Sequence, residues 1–176
     1  PRNGQMNGLR KSYPKIEKEG VSYLGEWKNG QRDGLGILKK NDTSKYIGEF
    51  KENKAEGFGL LYWPEGDIYS GNLLNSLPEG PGKFTTRKGA SYRGYWKKGK
   101  QNIFGVESWP RGSNYIGEYN NGNKEGIGDL NFEGNGGYQG EFKDGSICGV
   151  GTFFFKDKRQ YQGQWKNNKM QGYGII

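Results

Sequence analysis

Tyr23-Leu24-Gly25-Glu26-Trp27-Lys28-Asn29-Gly30-Gln31-Arg32-Asp33-Gly34-Leu35-Gly36-Ile37-Leu38 decides how this chain folds. Two short alternating runs flank an Asn-Gly pair, which together spell a β-hairpin. The unit returns every 23 residues, beginning at Tyr23, Tyr46, Tyr69, Tyr92, Tyr115, Tyr138 and Tyr161. Counting from each tyrosine, every copy has glycine at +2 (Gly25, Gly48, Gly71, Gly94, Gly117, Gly140, Gly163) and at +13 (Gly36, Gly59, Gly82, Gly105, Gly128, Gly151, Gly174). A large side chain stands at +4: Trp27, Phe50, Leu73, Trp96, Tyr119, Phe142 and Trp165. A third glycine at +11 is missing only from the fourth copy, which has Ile103. Self-similarity at a fixed period of this length denotes a repeat array.

Side chains alternate along a strand, so one register is implied: the tyrosine faces +15, +2 faces +13, and +4 faces +11, all on one face. That face carries aromatics beside paired glycines, and the glycines leave room for rings. Position +15 agrees, with Leu38, Leu61, Phe84, Leu130, Phe153 and Ile176 apolar and Glu107 dissenting; Trp63, Trp109, Phe132 and Phe155 follow at +17. The opposite face carries Glu26, Glu49, Glu118 and Glu141 at +3 and Lys28, Lys51, Lys97, Lys143 and Lys166 at +5, which reads as a solvated charge ladder. A secondary apolar strip runs there at +12 through Leu35, Phe58, Ile127, Val150 and Tyr173.

Composition fits once the repeat is seen. Of 176 residues only 31% are hydrophobic, 26% are charged and 33 are glycine, values that in bulk suggest disorder. The 15% of aromatic residues, at fixed spacing, supply the apolar area that disordered chains lack. The expectation is therefore an all-β, elongated, single-layer antiparallel sheet of stacked hairpins with a thin core. A single cysteine, Cys148, forms no internal disulfide, and an intracellular home is expected. The sequence shows no run of 18 or more apolar residues and no signal-peptide pattern.

The absence of histidine excludes Ser-His-Asp and Cys-His machinery and the commonest zinc ligand. No catalytic residue, metal site or cofactor is expected. Cys148 occupies +10, where other copies have Asp33, Glu56, Glu79, Asn102, Glu125 or Gln171, and reads as an ordinary thiol. Gly34-Leu35-Gly36 lacks the helix and the Lys-Ser/Thr pair of a phosphate loop. Basic residues alternate with glutamates and the aromatics are claimed by the core, so nucleic acid is not an expected partner. The net charge of +8 and clusters such as Lys97-Lys98-Gly99-Lys100 leave acidic phospholipids as an alternative partner.

Tyr23 to Gly36 reads Tyr-x-Gly-Glu-Trp-Lys-Asn-Gly-x-x-x-Gly-x-Gly, which resembles the MORN (membrane occupation and recognition nexus) repeat, and the resemblance covers nearly the whole chain. It implies a succession of antiparallel hairpins in one long twisted sheet. It also implies a non-enzymatic scaffold whose aromatic groove takes helices or extended segments of other proteins, as in radial-spoke components of cilia and cytoskeletal scaffolds. The groove residues so implied are Tyr23, Trp27, Tyr46, Phe50, Tyr69, Tyr92, Trp96, Tyr115, Tyr119, Tyr138, Phe142, Tyr161 and Trp165. A ciliary axoneme or cortical cytoskeleton is the expected setting, and homo- or hetero-oligomers are in keeping with it. The alternatives are a module at the cytoplasmic face of a membrane, binding acidic phospholipids, and the regulatory segment of a larger enzyme.

The third copy has Leu74 at +5 and Pro78 and Pro81 downstream, and the fourth has Tyr95-Trp96 and Ile103-Phe104. Proline cannot donate in a ladder, so loosened pairing is one reading. A docking patch of Leu73, Leu74, Leu77, Tyr95 and Phe104 is the other. The chain divides into residues 1–22, a partial repeat with a connection, and residues 23–176, the seven tandem copies. Asn3-Gly4-Gln5-Met6-Asn7-Gly8-Leu9 echoes Asn29 to Leu35 at an offset of three more than the period, which places a longer connection at Lys11 to Glu19 and suggests part of a longer array.

Overall fold

Every hairpin closes on a two-residue turn in which both residues take positive φ, from Asn29 (50°) and Gly30 (74°) to Asn167 (50°) and Asn168 (63°). This twist matches that of the flanking strands, which is why Asn, Asp and Gly recur there. The computed structural model describes residues 11–12, 16–134 and 136–176, and the chain forms two units, Pro1–Arg87 and Lys88–Ile176.

The first unit holds β1 (Lys11–Ser12), β2 (Ile16–Lys18), β3 (Val21–Lys28), β4 (Gln31–Lys39), β5 (Lys45–Lys51), β6 (Lys54–Tyr62), β7 (Ile68–Leu74) and β8 (Leu77–Thr85). β3 to β8 pair antiparallel in chain order, and β1 and β2 both pair with β3. The stretch expected as a longer connection thus contributes short strand segments, whereas Asn3–Leu9 lies outside the described residues. The second unit holds β9 (Ser91–Lys97), β10 (Lys100–Ser108), β11 (Asn114–Asn120), β12 (Asn123–Phe132), β13 (Gly136–Lys143), β14 (Ser146–Phe155), β15 (Gln160–Lys166) and β16 (Lys169–Ile175), again antiparallel in chain order. Among the described residues every regular element is a strand.

The register matches the sequence reading at two points and departs from it at a third. Tyr23 faces Leu38 and Gly25 faces Gly36, and the other hairpins repeat the Gly-Gly pairing. Position +4, however, faces +9: Trp27 lies opposite Arg32 and Phe50 opposite Ala55. Between the two levels the second strand carries extra residues as a bulge, and the +11 glycine pairs instead with +4 of the following hairpin, as Gly34 does with Phe50. The bulge needs a left-handed residue at +11, supplied by glycine in six copies, with φ of 64° at Gly57 and 68° at Gly126.

The +3 glutamates serve this bulge rather than a lysine ladder. Glu26, Glu118 and Glu141 accept hydrogen bonds from the +12 N–H of Leu35 (2.9 Å), Ile127 (3.0 Å) and Val150 (3.0 Å). Gln164 does the same for Tyr173 at 3.1 Å. These side chains lie over the +11 glycine, where any Cβ would strike them. Hairpin tips are stitched to their predecessors as well: Asn53 N–H donates to the Arg32 carbonyl at 3.0 Å, and Arg32 N–H donates to Asn53 Oδ1 at 2.9 Å.

Candidate interaction groove

The tyrosine of each copy lies across its own glycine pair. A Cβ on Gly71 would sit 2.6 Å from the Tyr69 hydroxyl and 2.5 Å from Gly82 Cα. Each hydroxyl then donates to the backbone carbonyl at +3, at 2.9 Å for Tyr23, 2.8 Å for Tyr46 and Tyr69, and 3.1 Å for Tyr115. The +4 ring meets its own tyrosine edge to face, as in Tyr115–Tyr119 at 5.3 Å, and the preceding tyrosine as well, as in Tyr115–Phe142 at 5.0 Å.

This interlock makes the thirteen residues read as groove anchors into the core. Tyr23, Tyr46, Phe50, Tyr69, Tyr92, Trp96, Tyr115, Tyr119, Tyr138, Phe142, Tyr161 and Trp165 are all buried, and Trp27 is half-buried. Little of their area is left for a partner, because the rings spend it on the glycines and on one another. The surface of this face comes instead from the less regular positions. In the first unit Leu38, Leu61 and Trp63 line a concavity of about 640 Å³ together with Arg32, Ala55 and Asn53. In the second, Trp109, Leu130, Phe132 and Ile147 line one of about 580 Å³ together with Lys124 and Asn168. Trp63 is exposed at the first and Phe132 at the second, and Trp63 meets Phe84 edge to face at 5.7 Å.

Charge enters both concavities at +9. The Arg32 guanidinium lies 5.8 Å from the Tyr23 ring and 5.4 Å from the Phe50 ring. Lys124 sits among Trp109 (5.1 Å), Tyr115 (5.0 Å) and Tyr119 (5.8 Å), and pairs with Glu107 at 2.7 Å. The Tyr119 hydroxyl donates to the same Glu107 oxygen at 3.0 Å. Burial, reinforced by the Glu107 carboxylate, drives the Tyr119 hydroxyl far above the ordinary phenol range. Sequence reasoning missed this trio; its signal was an acid alone at +15 and a lysine at +9 of the next copy.

The five residues read as a docking patch do not act alike. Leu73 is core; Leu74 and Leu77, in the first unit, face each other beside a turn and are exposed. Tyr95 and Phe104, in the second unit, are exposed on the side away from the tyrosines, beside Ile103. Ile103 holds the left-handed φ of 61° that glycine holds elsewhere, and Tyr95 replaces the glutamate that elsewhere lies over that position. Cys148 is half-buried, and burial with Glu141 and Glu125 nearby raises its pKa, which disfavours the thiolate. Among the described residues no group of three or more His, Cys, Asp or Glu is placed to hold a metal, and no helix is long and apolar enough to cross a membrane.

No curated protein matches the chain. A family model described as the MORN repeat matches residues 23–45, 46–68, 69–91, 92–114, 115–135, 138–158 and 161–176, in step with the seven tyrosines. MORN repeats are commonly modules that bind proteins or membranes, and are generally not catalytic.

Proposed function

Because the chain belongs to the MORN repeat family, we propose that it is a non-enzymatic scaffold holding helical or extended segments of partner proteins along its tyrosine-bearing face, in a ciliary axoneme or cortical cytoskeleton. One observation carries this reading. Exposed and half-exposed apolar groups rim a concavity in each unit, Trp63 in one and Phe132 in the other, above a floor of interlocked rings. A floor already fixed by its own packing loses little conformational freedom when a partner seats, so the rim area converts efficiently into affinity. Arg32 and Lys124 add a cation to each concavity for orienting the bound segment.

The test uses the whole protein in ciliated cells, carrying a photo-crosslinking residue at Lys40 or Arg111, exposed positions that line the two concavities. The expected result is protein adducts that survive high salt and are lost when Trp63→Ala is added to the first or Phe132→Ala to the second. Binding that salt abolishes, that ignores both aromatic changes and that follows Lys97→Gln and Lys143→Gln would replace the scaffold with a module reading acidic phospholipids. A tagged chain that stays out of cilia and the cell cortex would refute the cellular setting.

A further inference from the structure

Arg32 is held against the floor of the first concavity. Its guanidinium lies 5.4 Å from the Phe50 ring and 5.8 Å from the Tyr23 ring, and the residue is half-buried. Asn53 fixes it there: Oδ1 accepts from the Arg32 backbone N–H at 2.9 Å and from Nε at 3.4 Å, and the Asn53 carbonyl accepts from Nη2 at 3.0 Å. Among the described residues nothing accepts from Nη1. A cation drawn partly out of water without a counter-charge costs stability. The repeat does not demand one at +9, where other copies have Ala55, Pro78, Gln101, Ile147 or Met170.

The described residues include every Asp and Glu of the chain, and none of them pairs with Arg32. In the first unit, alternation puts Glu17, Glu26, Asp33, Glu49, Glu56 and Glu79 on the opposite face. Glu19, Glu52 and Glu65 lie in turns and are exposed, and Asp67 accepts from the Arg87 N–H at 3.0 Å. Asp42 lines the concavity, but its carboxylate is taken by Ser44, through the N–H at 2.9 Å and the hydroxyl at 2.6 Å. Lys40 and Lys45 line it too, so its walls carry three cations against that one carboxylate. In the second concavity the +9 cation has its counter-charge within the fold, Lys124 pairing with Glu107 at 2.7 Å.

We propose that Arg32 is the subsite for an acidic side chain of the partner. The protein segment seated in the first concavity places an Asp or Glu carboxylate on the Arg32 guanidinium and a large apolar side chain beside Leu38, Leu61 and Trp63. This rests on the groove reading above and adds which segments the groove accepts. The guanidinium presents its remaining N–H groups in one plane, a geometry that matches a carboxylate. Held by Asn53 and the rings, it loses little freedom when the carboxylate arrives. Lys40 and Lys45 favour approach of the same sign of charge.

The test is selection of random peptides of about 12 residues, displayed on phage, against the immobilised full chain, followed by titration of the selected sequences as synthetic peptides. Asp or Glu should be enriched beside a large apolar residue. Arg32→Gln installs what Gln101 supplies at the same repeat position, and should weaken such a peptide at least tenfold with unchanged circular dichroism. Replacing the peptide's acid by its amide should weaken it as much, and the two changes together should cost no more than either alone. Arg32→Glu should turn the preference toward the same peptide with lysine for its acid. Peptides that lose affinity in Trp63→Ala and keep it in Arg32→Gln would overturn this proposal and leave the groove standing. Selection of none that needs either residue would overturn the first concavity as a docking site as well. Acid selectivity that survives Arg32→Gln and disappears when Lys40→Gln and Lys45→Gln are combined would also overturn it, as would phosphatidylserine vesicles that bind through Arg32 where no acidic peptide does.

Discussion

The Tyr69 hydroxyl occupies the space a side chain on Gly71 would need, 2.6 Å from the site of its Cβ, and from there donates to the Asn72 carbonyl at 2.8 Å. Gly71→Ala should therefore destabilise by about 1–3 kcal/mol, the range for overpacking. Tyr69→Phe, which removes only the hydrogen bond, should cost about 1 kcal/mol. Combining them should not restore the loss, because Gly82 Cα stands 2.5 Å from the same point. Urea unfolding measures all three; a Gly71→Ala midpoint equal to that of the parent would refute the interlock.

Glu118 gives a sharper test of what the recurrent carboxylates do. It accepts from the Ile127 N–H at 3.0 Å, and Gln164 fills the same role in the last copy. Glu118→Gln should keep stability nearly intact, and Glu118→Ala should lose about 0.5–1.5 kcal/mol. The difference should persist at high salt, where an exposed ion-pair ladder would be screened. Equal losses from Gln and Ala, fading with salt, would return these residues to the ladder.

The sequence made the hairpins legible because Tyr23 facing Leu38 and Gly25 facing Gly36 follow from counting by twos. Counting failed between Gly25 and Trp27, since a bulge adds residues that alternation cannot see, and the glutamate contacts at +12 become visible only once the bulge is known. The burial of the rings expected to anchor a groove escaped the reading for a related reason. Positions that are large in every copy, such as those of Tyr115 and Phe142, are the ones the fold needs for itself, so these side chains are buried. Exposed apolar area on this face lies at positions that differ between copies, such as Trp63 and Phe132, and the Glu107–Lys124 pair joins two copies whose odd residues looked unrelated.

Ile103 is the exception at +11, a β-branched residue with a φ of 61° and 62% of its surface exposed. Left-handed backbone costs such a residue roughly 1–2 kcal/mol. Glycine relieves that cost while giving back about 0.4–1 kcal/mol through the freer unfolded chain. Ile103→Gly should accordingly stabilise by up to about 1 kcal/mol, read as a higher melting temperature. The reverse change, Gly126→Ile, should be strongly destabilising, because Glu118 lies over Gly126. A lower melting temperature for Ile103→Gly would show that the Ile103 side chain gains more from Tyr95 and its other neighbours than its backbone loses.

The buried tyrosines set an alkaline limit on stability. Burial pushes Tyr23, Tyr69, Tyr92 and Tyr138 each up to about 12, and raises Tyr46 and Tyr115 further. An unfolded tyrosine titrates near pH 10, so below that pH both states hold the proton and these groups leave stability flat. Between about pH 10 and 12 the unfolded chain ionises first, and each such tyrosine removes stability by as much as about 1.4 kcal/mol per pH unit. The contribution is thus fully present below pH 10 and lost as pH rises through 12. With several rings titrating together, the sheet should collapse cooperatively within that window. Tyrosinate absorbance from these rings should rise together with the loss of the strand signal in circular dichroism, and Tyr138→Phe should move the midpoint no further than one ring's share. Tyrosinate formed at these six positions near pH 10 with the sheet intact would show that the rings are open to water and that the interlock does not hold them.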